Sequence, residues 1–261
     1  MNILRHSMRQ GRNMLIIWTS VIAFMLAVCI LIYPEMGSQM SEISGMFSDM
    51  GGFSAAFGMD KVNFGEFMGF FGVECGNVLG LGGAFFAALL GISALAGEER
   101  EHTAEFLLTH PVSRRRVVTQ KLLAVLLQVV ILNAAVIVVT SIGVLAIGEA
   151  PDVKTLSILF FAYLILQLEV AAVCFGVSAF ISRGGFGLGL GLTALLYFLN
   201  IISNLTKEAG FLKYITPYGY TDSAYIITNA VIEVKYLAVG LIFTAAGIAA
   251  AYLKFEKKDI V

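Results

Sequence analysis

Six long apolar runs, separated by short charged segments, constrain the fold of this 261-residue chain more than any other feature. A helix needs about 20 apolar residues to cross the hydrocarbon core of a bilayer. With 58% hydrophobic and 13% charged residues, the composition excludes a typical soluble domain. The sequence therefore predicts an all-α, polytopic membrane helix bundle with transmembrane helices at 14–33, 77–96, 122–147, 156–181, 186–202 and 236–253.

The positive charges are placed asymmetrically along this arrangement. Basic residues concentrate in cytoplasmic segments that flank spans. We therefore expect a multi-pass membrane protein with both termini cytoplasmic. The membrane we expect is the cell membrane of a bacterium or an archaeon. A net charge of −1 gives no indication of nucleic-acid binding. Most of the 17 Lys and Arg residues lie on the side of the termini, at Arg5, Arg9, Arg12, Arg100, Arg114, Arg115, Arg116, Lys121, Arg183, Lys254, Lys257 and Lys258.

We expect residues 1–261 to form a single transmembrane domain with four notable segments outside the membrane. Residues 1–13 are either an amphipathic helix on the inner leaflet or a simple basic flank. Residues 34–68 and 203–235 are external, and methionines at helical spacing predict a short amphipathic helix in the first of them. Residues 97–113 are cytoplasmic. Methionine sulfur could bind Cu(I), but such a stripe is more often a packing surface, and we expect no metal.

Glycines recur at intervals of three or four residues before and within the second span. Asn63 and Glu66 resemble a capping box, which predicts a helix starting at about residue 64. The glycine stripe would let another helix approach closely, and Gly72, Gly76 and Gly80 are its central positions. A second glycine cluster, 184–192, lacks the Lys-Ser/Thr of a phosphate loop and favours helix packing or a hinge.

The densest charge follows the second span, in the stretch GEEREHTAEFLLTHPVSRRRVV at 97–118. It predicts a short cytoplasmic helix that ends at Pro111, with Ser113 capping the next helix. Glu98, His102 and Glu105 could ligate a metal, but there is no HExxH and the setting is open to water. An intramembrane protease of the EExxxR kind would need Arg where Thr103 stands. A docking helix needs no special chemistry.

Few polar residues lie inside the predicted spans. Glu169, with Gln167 nearby, is a functional candidate because an ionisable group at that depth is costly. The alternative is a carboxyl group neutralised by protonation or by a partner helix. Asn200 completes the candidates for a translocation path, although Asn133 and Asn200 are better suited to hydrogen bonds between helices.

The charged stretch also resembles the cytoplasmic coupling segment of type-2 ABC exporter permeases, in particular small six-span permeases whose ATPase is a separate chain. The number of spans, their sidedness and the long outer segment after the first span agree with that family along nearly the whole sequence. The residues that carry the resemblance are Glu99-Arg100-Glu101, Thr103, Leu107-Leu108, Pro111-Val112-Ser113-Arg114, Lys121 and the C-terminal Phe255-Glu256-Lys257-Lys258-Asp259.

The resemblance implies a permease subunit that is not itself an enzyme, paired with an ABC ATP-binding subunit and with a second, identical or different, permease chain. The chain would bind no cofactor, and ATP and Mg²⁺ would be held by the partner ATPase. Two alternatives remain: a stand-alone ion-coupled carrier or channel using Glu169, and a membrane-anchored assembly or sensor protein. In the permease, the residues implied to contact the ATPase are Glu98, Glu99, Arg100, Glu101, His102, Glu105, Leu108 and Pro111.

Overall fold

The computed structural model describes residues 3–49, 51–100, 113–181, 185–206 and 208–257, and this part of the chain is built from helices and short turns. A π-helix, Gly76–Leu81, joins α3 to α4, and 3₁₀ turns occupy Met59–Lys61, Glu208–Tyr214 and Pro217–Tyr220. The α-helices are α1 (Ile3–Asp49), α2 (Gly52–Ala56), α3 (Phe67–Cys75), α4 (Gly82–Arg100), α5 (Arg114–Ile147), α6 (Val153–Ser178), α7 (Phe186–Leu205), α8 (Ser223–Asn229) and α9 (Val234–Lys257).

Six helical segments are long and apolar enough to cross a membrane, which confirms the predicted polytopic bundle. The main difference lies in the second span, which begins at Phe67 because α3, the π-helix and α4 run on without a break. The six segments are Arg12–Met36, Phe67–Ala96, Arg114–Ile147, Val153–Ser178, Phe186–Leu205 and Val234–Lys257.

The first span and both of its flanks form one helix. α1 has 47 residues, so it is about 70 Å long, more than twice the thickness of the hydrocarbon core. The helix expected in the outer segment exists, but it continues the span through Pro34 instead of forming a separate element. At the other end, Ile3 is buried and the Leu4 amide donates to Gln120 Oε1 over 3.2 Å. The N-terminal turns of α1 therefore pack along α5.

The start of the second span differs from its prediction in one local respect. Asn63 Nδ2 donates to Glu66 Oε1 over 3.2 Å, and the Gly65 amide donates to Asn63 Oδ1 over 2.9 Å. The predicted pair does interact, but these bonds close a turn ahead of the helix, and α3 begins only at Phe67. The expected start near residue 64 is therefore wrong by about one turn.

The bundle has two ends that are held together in different ways. The terminal end contains residues 3–11, 94–100, 113–121 and 252–257. The distal end contains residues 33–49, 51–67, 147–153, 205–206 and 208–234. At the distal end, Tyr33 Oη donates to the Gly65 carbonyl over 2.9 Å, and its ring packs edge-on against Phe67. These contacts fasten α1 to the start of α3.

α6 is the central helix of the bundle. In the most apolar 18-residue stretch of α6, 67% of the residues are buried inside the bundle, compared with 11% in the corresponding stretch of α9. It packs against α4 on one side and against α9 on the other. The rest of the bundle is therefore positioned relative to α6, and substitutions on its faces should have the largest effects.

Backbone contact without intervening side chains joins α6 to α9. A Cβ on Gly247 would lie 2.7 Å from the Ala172 carbonyl oxygen, and a Cβ on Gly176 would lie 2.5 Å from the Gly247 carbonyl oxygen. Real Cβ atoms do not approach backbone so closely, so only glycine permits this crossing.

We expect Gly247→Ala to lower the free energy of unfolding by about 1–3 kcal/mol, because the added methyl group forces the two helices apart. Gly191→Ala is the matched control, since Gly191 has no atom within 4 Å of an added Cβ. Its unfolding free energy should be unchanged or slightly higher. Unfolding of the purified protein in mixed detergent micelles measures both. Equal effects of the two substitutions would contradict the close crossing.

Candidate functional site

The predicted ATPase-contacting residues are only partly within the described chain. Glu98, Glu99 and Arg100 form the last turn of α4 in its backbone. The remaining residues of that set, Glu101, His102, Glu105, Leu108 and Pro111, lie outside the described residues. What the structure does describe is the base of the segment, where α4 ends and α5 begins.

Ser113 begins α5 as its N-cap, which confirms that expectation. Its side-chain oxygen accepts from the Arg116 amide over 3.4 Å. A capping hydroxyl satisfies one of the amides that the first helical turn leaves unpaired. The residues that follow segment 97–113 thus enter a defined helix at once.

Lys121 fastens the two helices that flank this segment. Its side chain is buried, with 5% of the residue exposed, and Nζ donates to the Ala94 carbonyl over 2.7 Å. A buried ammonium group is costly unless it is hydrogen-bonded, so this contact holds α5 to the end of α4. Segment 97–113 therefore starts and ends on two helices that are joined at its base.

The C-terminal end of α9 is tied to the start of α5. Arg115 is paired with the Glu256 carboxylate, and Arg114 Nη1 donates to the Glu256 carbonyl over 3.1 Å. One turn further, the Thr119 and Tyr252 hydroxyls share a hydrogen bond of 2.7 Å. The terminal end thus connects α4, α5 and α9.

Gln167 is the centre of a polar contact inside the bundle. Its residue is fully buried; Nε2 donates to the Leu79 carbonyl over 3.1 Å, and Oε1 accepts from Asn133 Nδ2 over 2.7 Å. Asn133 also donates to the Val129 carbonyl over 2.9 Å. The expectation that Asn133 bonds between helices is confirmed. Three segments, α5, α6 and the π-helix, meet at this one amide.

The π-helix and the glycine stripe make room for α6. A π-helical turn is wider than an α-helical one and changes the direction of the carbonyls beside it. A Cβ on Gly76 would lie 2.9 Å from Tyr163 Oη, and one on Gly80 would lie 3.0 Å from the Tyr163 ring. Gly72, the third stripe position, lies against Ile227 of α8 instead. The stripe therefore faces α6 and, at its distal end, α8.

Glu169 lies on the opposite side of α6 and contacts the distal segment. Glu169 is 4% exposed, and its Oε2 accepts from Tyr220 Oη over 2.8 Å. Burial and then the nearby carboxyl group raise the pKa of Tyr220 above its ordinary value, so the phenol keeps its proton and acts as the donor. Gly240 of α9 sits against the same carboxyl group, where a side chain would overlap Glu169 Oε2.

Three residues were predicted for a translocation path. Asn200 lines a cavity, whereas Gln167 and Glu169 are hydrogen-bonded to other segments of the bundle. The cavity has a volume of about 60 Å³ and lies at the distal end. Neither Glu169 nor Gln167 is among the residues that line it.

Sequence reasoning missed Tyr220, Gly240 and the internal contact of Lys121. Tyr220 lies 51 residues from Glu169 in sequence, and nothing local marks the pair. A signal for Gly240 existed: Gly240 and Gly247 are seven residues apart, which places both on one face of α9. In the described part of the chain, no group of three or more His, Cys, Asp or Glu residues could hold a metal ion.

The fold and these contacts define a polytopic helical membrane protein with a charged segment anchored at one end. A profile of the family described as ABC-2 family transporter protein matches residues 1–260. The chain belongs to that family and is a permease component of an ABC transporter, the type of membrane subunit that pairs with an ABC ATP-binding subunit and is generally not catalytic itself. No curated protein matches the sequence.

The contact between Asn133 and Gln167 should be measurable as a coupling energy. In a double-mutant cycle with Asn133→Ala and Gln167→Leu, we expect the two effects on unfolding free energy to be non-additive by about 0.5–2 kcal/mol. Gln128→Leu is the control, because Gln128 donates within its own helix to the Ala124 carbonyl. Its effect should add to that of Gln167→Leu. Additivity of the first pair would mean that their hydrogen bond contributes nothing.

Proposed function

We propose that the chain is the transmembrane permease subunit of an ATP-driven exporter in a bacterial or archaeal cell membrane. In this proposal the ATPase is a separate chain that holds ATP and Mg²⁺, two permease chains form the membrane part, and both termini are cytoplasmic. Family membership supports the pairing with an ATP-binding subunit, and the charge asymmetry supports the orientation.

The contact of Lys121 with Ala94 is the observation that carries the mechanism. ATP-driven closure of the partner can shift the permease between states only through an element that touches both proteins. The support for assigning this role to segment 97–113 is that the helices before and after it, α4 and α5, are hydrogen-bonded to each other at its base. A push on the segment would move α4 and α5 together, and α9 with them through Arg115 and Glu256.

The proposed contacts to the ATPase are made by Glu98, Glu99, Arg100, Glu101 and Glu105, with His102, Leu108 and Pro111 completing the surface. Single charged pairs at a wet interface contribute about 0–1 kcal/mol. Loss of one of them should therefore have little effect, whereas a break in the helical segment should separate the two proteins.

The first test is affinity purification of the tagged chain from native membranes in mild detergent. We expect wild type to bring down a P-loop ATPase and Ala104→Pro to lose it, because proline removes an amide and breaks a helix. Ala150→Pro, in the loop at the distal end, is the matched control and should retain the ATPase. Recovery of the chain alone, with both variants behaving like wild type, would contradict the proposal.

Glu169 provides a second test, directed at the alternative of a stand-alone ion-coupled carrier. In the permease proposal Glu169 positions Tyr220, so Glu169→Gln keeps an acceptor for the phenol and should leave both stability and ATPase recovery near wild type. Glu169→Leu should lower the free energy of unfolding by about 1–3 kcal/mol, because the buried Tyr220 hydroxyl loses its partner.

Unfolding in mixed micelles and the same affinity purification measure these two variants. An ion site would respond differently: Glu169→Gln would abolish transport by reconstituted chains in the absence of any ATPase.

A further inference from the structure

α1 and α5 run side by side and in the same direction from the terminal end. The Leu4 amide donates to Gln120 Oε1 over 3.2 Å. About two turns further along both helices, a side chain on Gly11 would overlap the Gln128 amide. Residue numbers therefore increase together along the two helices, and the height of any N-terminal residue of α1 can be given as a position on α5.

Three arginines form a stripe on the outward face of α1. Arg5, Arg9 and Arg12 are separated by four and three residues, which places them on one side of a helix, and all three are exposed. Ile3 is buried and Gly11 contacts α5, so the arginines lie on the side of α1 that faces away from the bundle. Ile16, one turn beyond Arg12 on the same face, is 55% exposed.

This arginine stripe lies at a height where the neighbouring helix is apolar. The two contacts place Arg5–Arg12 beside positions 121–129 of α5. There α5 exposes Leu123 and Leu127, by 49% and 43%. The exposed basic group of α5 itself ends at Arg116, about 20 Å nearer the terminal end than the height of Arg12. The charges of α1 therefore lie deeper in the bundle than those of α5.

The chain supplies no countercharge along this face. α1 contains no acidic residue before Glu35, and α5 contains none at all. Within the described residues, no ion pair involves an arginine of α1. A guanidinium group at the edge of the hydrocarbon is costly unless an anion or water accompanies it. The anion available at that depth is a lipid phosphate, which arginine binds through paired hydrogen bonds.

We propose that Arg5, Arg9 and Arg12 bind the phosphate of an anionic phospholipid in the leaflet at the terminal end, with an acyl chain along Ile16 and the exposed apolar face of α1 beyond it. Three positive charges without a carboxylate select a lipid of net negative charge over a zwitterionic one. The apolar surface at the same height selects a lipid over a free phosphate. This site is independent of the proposed pairing with an ATPase.

Native mass spectrometry of the delipidated full chain tests the proposal with three probes. Dioleoylphosphatidylglycerol should bind saturably. Dioleoylphosphatidylcholine, whose head is zwitterionic, should bind at least fivefold more weakly, and glycerol 3-phosphate should not bind at the same concentrations. Equal affinity for the two lipids would overturn the selection by charge. Binding of glycerol 3-phosphate as tight as that of the anionic lipid would overturn the lipid assignment.

Two matched double variants localise the binding. Arg9→Gln with Arg12→Gln should weaken phosphatidylglycerol binding about tenfold. Arg116→Gln with Lys257→Gln removes the same charge from exposed positions of α5 and α9 at the terminal end, and its affinity should equal that of wild type. Equal weakening by both pairs would mean that net charge alone attracts the lipid, which would overturn the site.

A charge-preserving pair separates recognition from folding. Arg9→Lys with Arg12→Lys should bind phosphatidylglycerol more tightly than the Gln pair and still prefer it to phosphatidylcholine. Because the replaced side chains are exposed, the unfolding temperature without lipid should match wild type in every variant. If the double Gln variant is not recovered, Arg12→Gln alone should weaken binding about threefold. Wild-type affinity in the recovered Gln variant, or loss in the Lys pair as large as in the Gln pair, would overturn the proposal.

Discussion

The hydrocarbon core of a bilayer offers no hydrogen-bond partners, so a polar side chain inside the bundle is stabilised by bonding to another helix or to its own backbone. The amide of Gln167 meets this requirement by joining the π-helix carbonyl of Leu79 to Asn133 of α5. The glycines around it belong to the same arrangement, since a side chain on Gly83 would overlap that amide. Polar groups and glycines thus fix how α4, α5 and α6 fit together, while apolar residues that lipid also accommodates are less selective.

α6 transmits these contacts from one half of the bundle to the other. Gln167 and Glu169 are two residues apart, which on an α-helix turns their side chains about 200° from each other. One contacts α5 and the π-helix, and the other contacts Tyr220 and lies against Gly240 of α9. In the proposed permease, α4 and α5 receive the movement of the ATPase, and Gln167 and Glu169 connect them through α6 to the distal turn at Pro217–Tyr220.

The parts of the fold that depend on length and composition could be predicted, and those that depend on register could not. The six spans follow from runs of about 20 apolar residues, and the cap at Ser113 follows from a local preference. Nothing in hydropathy shows that α1 continues through Pro34, because a helix can span a proline when its neighbours hold it. The π-helix at Gly76–Leu81 was missed for a similar reason: one extra residue in a turn leaves composition unchanged. The pairing of Glu169 with Tyr220 depends on where the 203–235 segment folds back, which no local pattern encodes.

The two ends of the bundle differ in the strength of their contacts, and this difference bears on the proposed mechanism. At the terminal end, Arg115 is 77% exposed, so its pair with Glu256 is screened by water and easily exchanged. At the distal end, the contacts are a buried phenol–carboxyl hydrogen bond and aromatic pairs such as Tyr197 with Tyr218, at 5.3 Å between ring centroids. Breaking the latter exposes unpaired groups in a medium of low dielectric constant, which costs more. A movement imposed at the terminal end is therefore expected to change the surface pairs first and to reach the distal end as a tilt of whole helices. Lys121 is the exception at the terminal end, because it is buried and hydrogen-bonded, and for that reason α4 and α5 would tilt together.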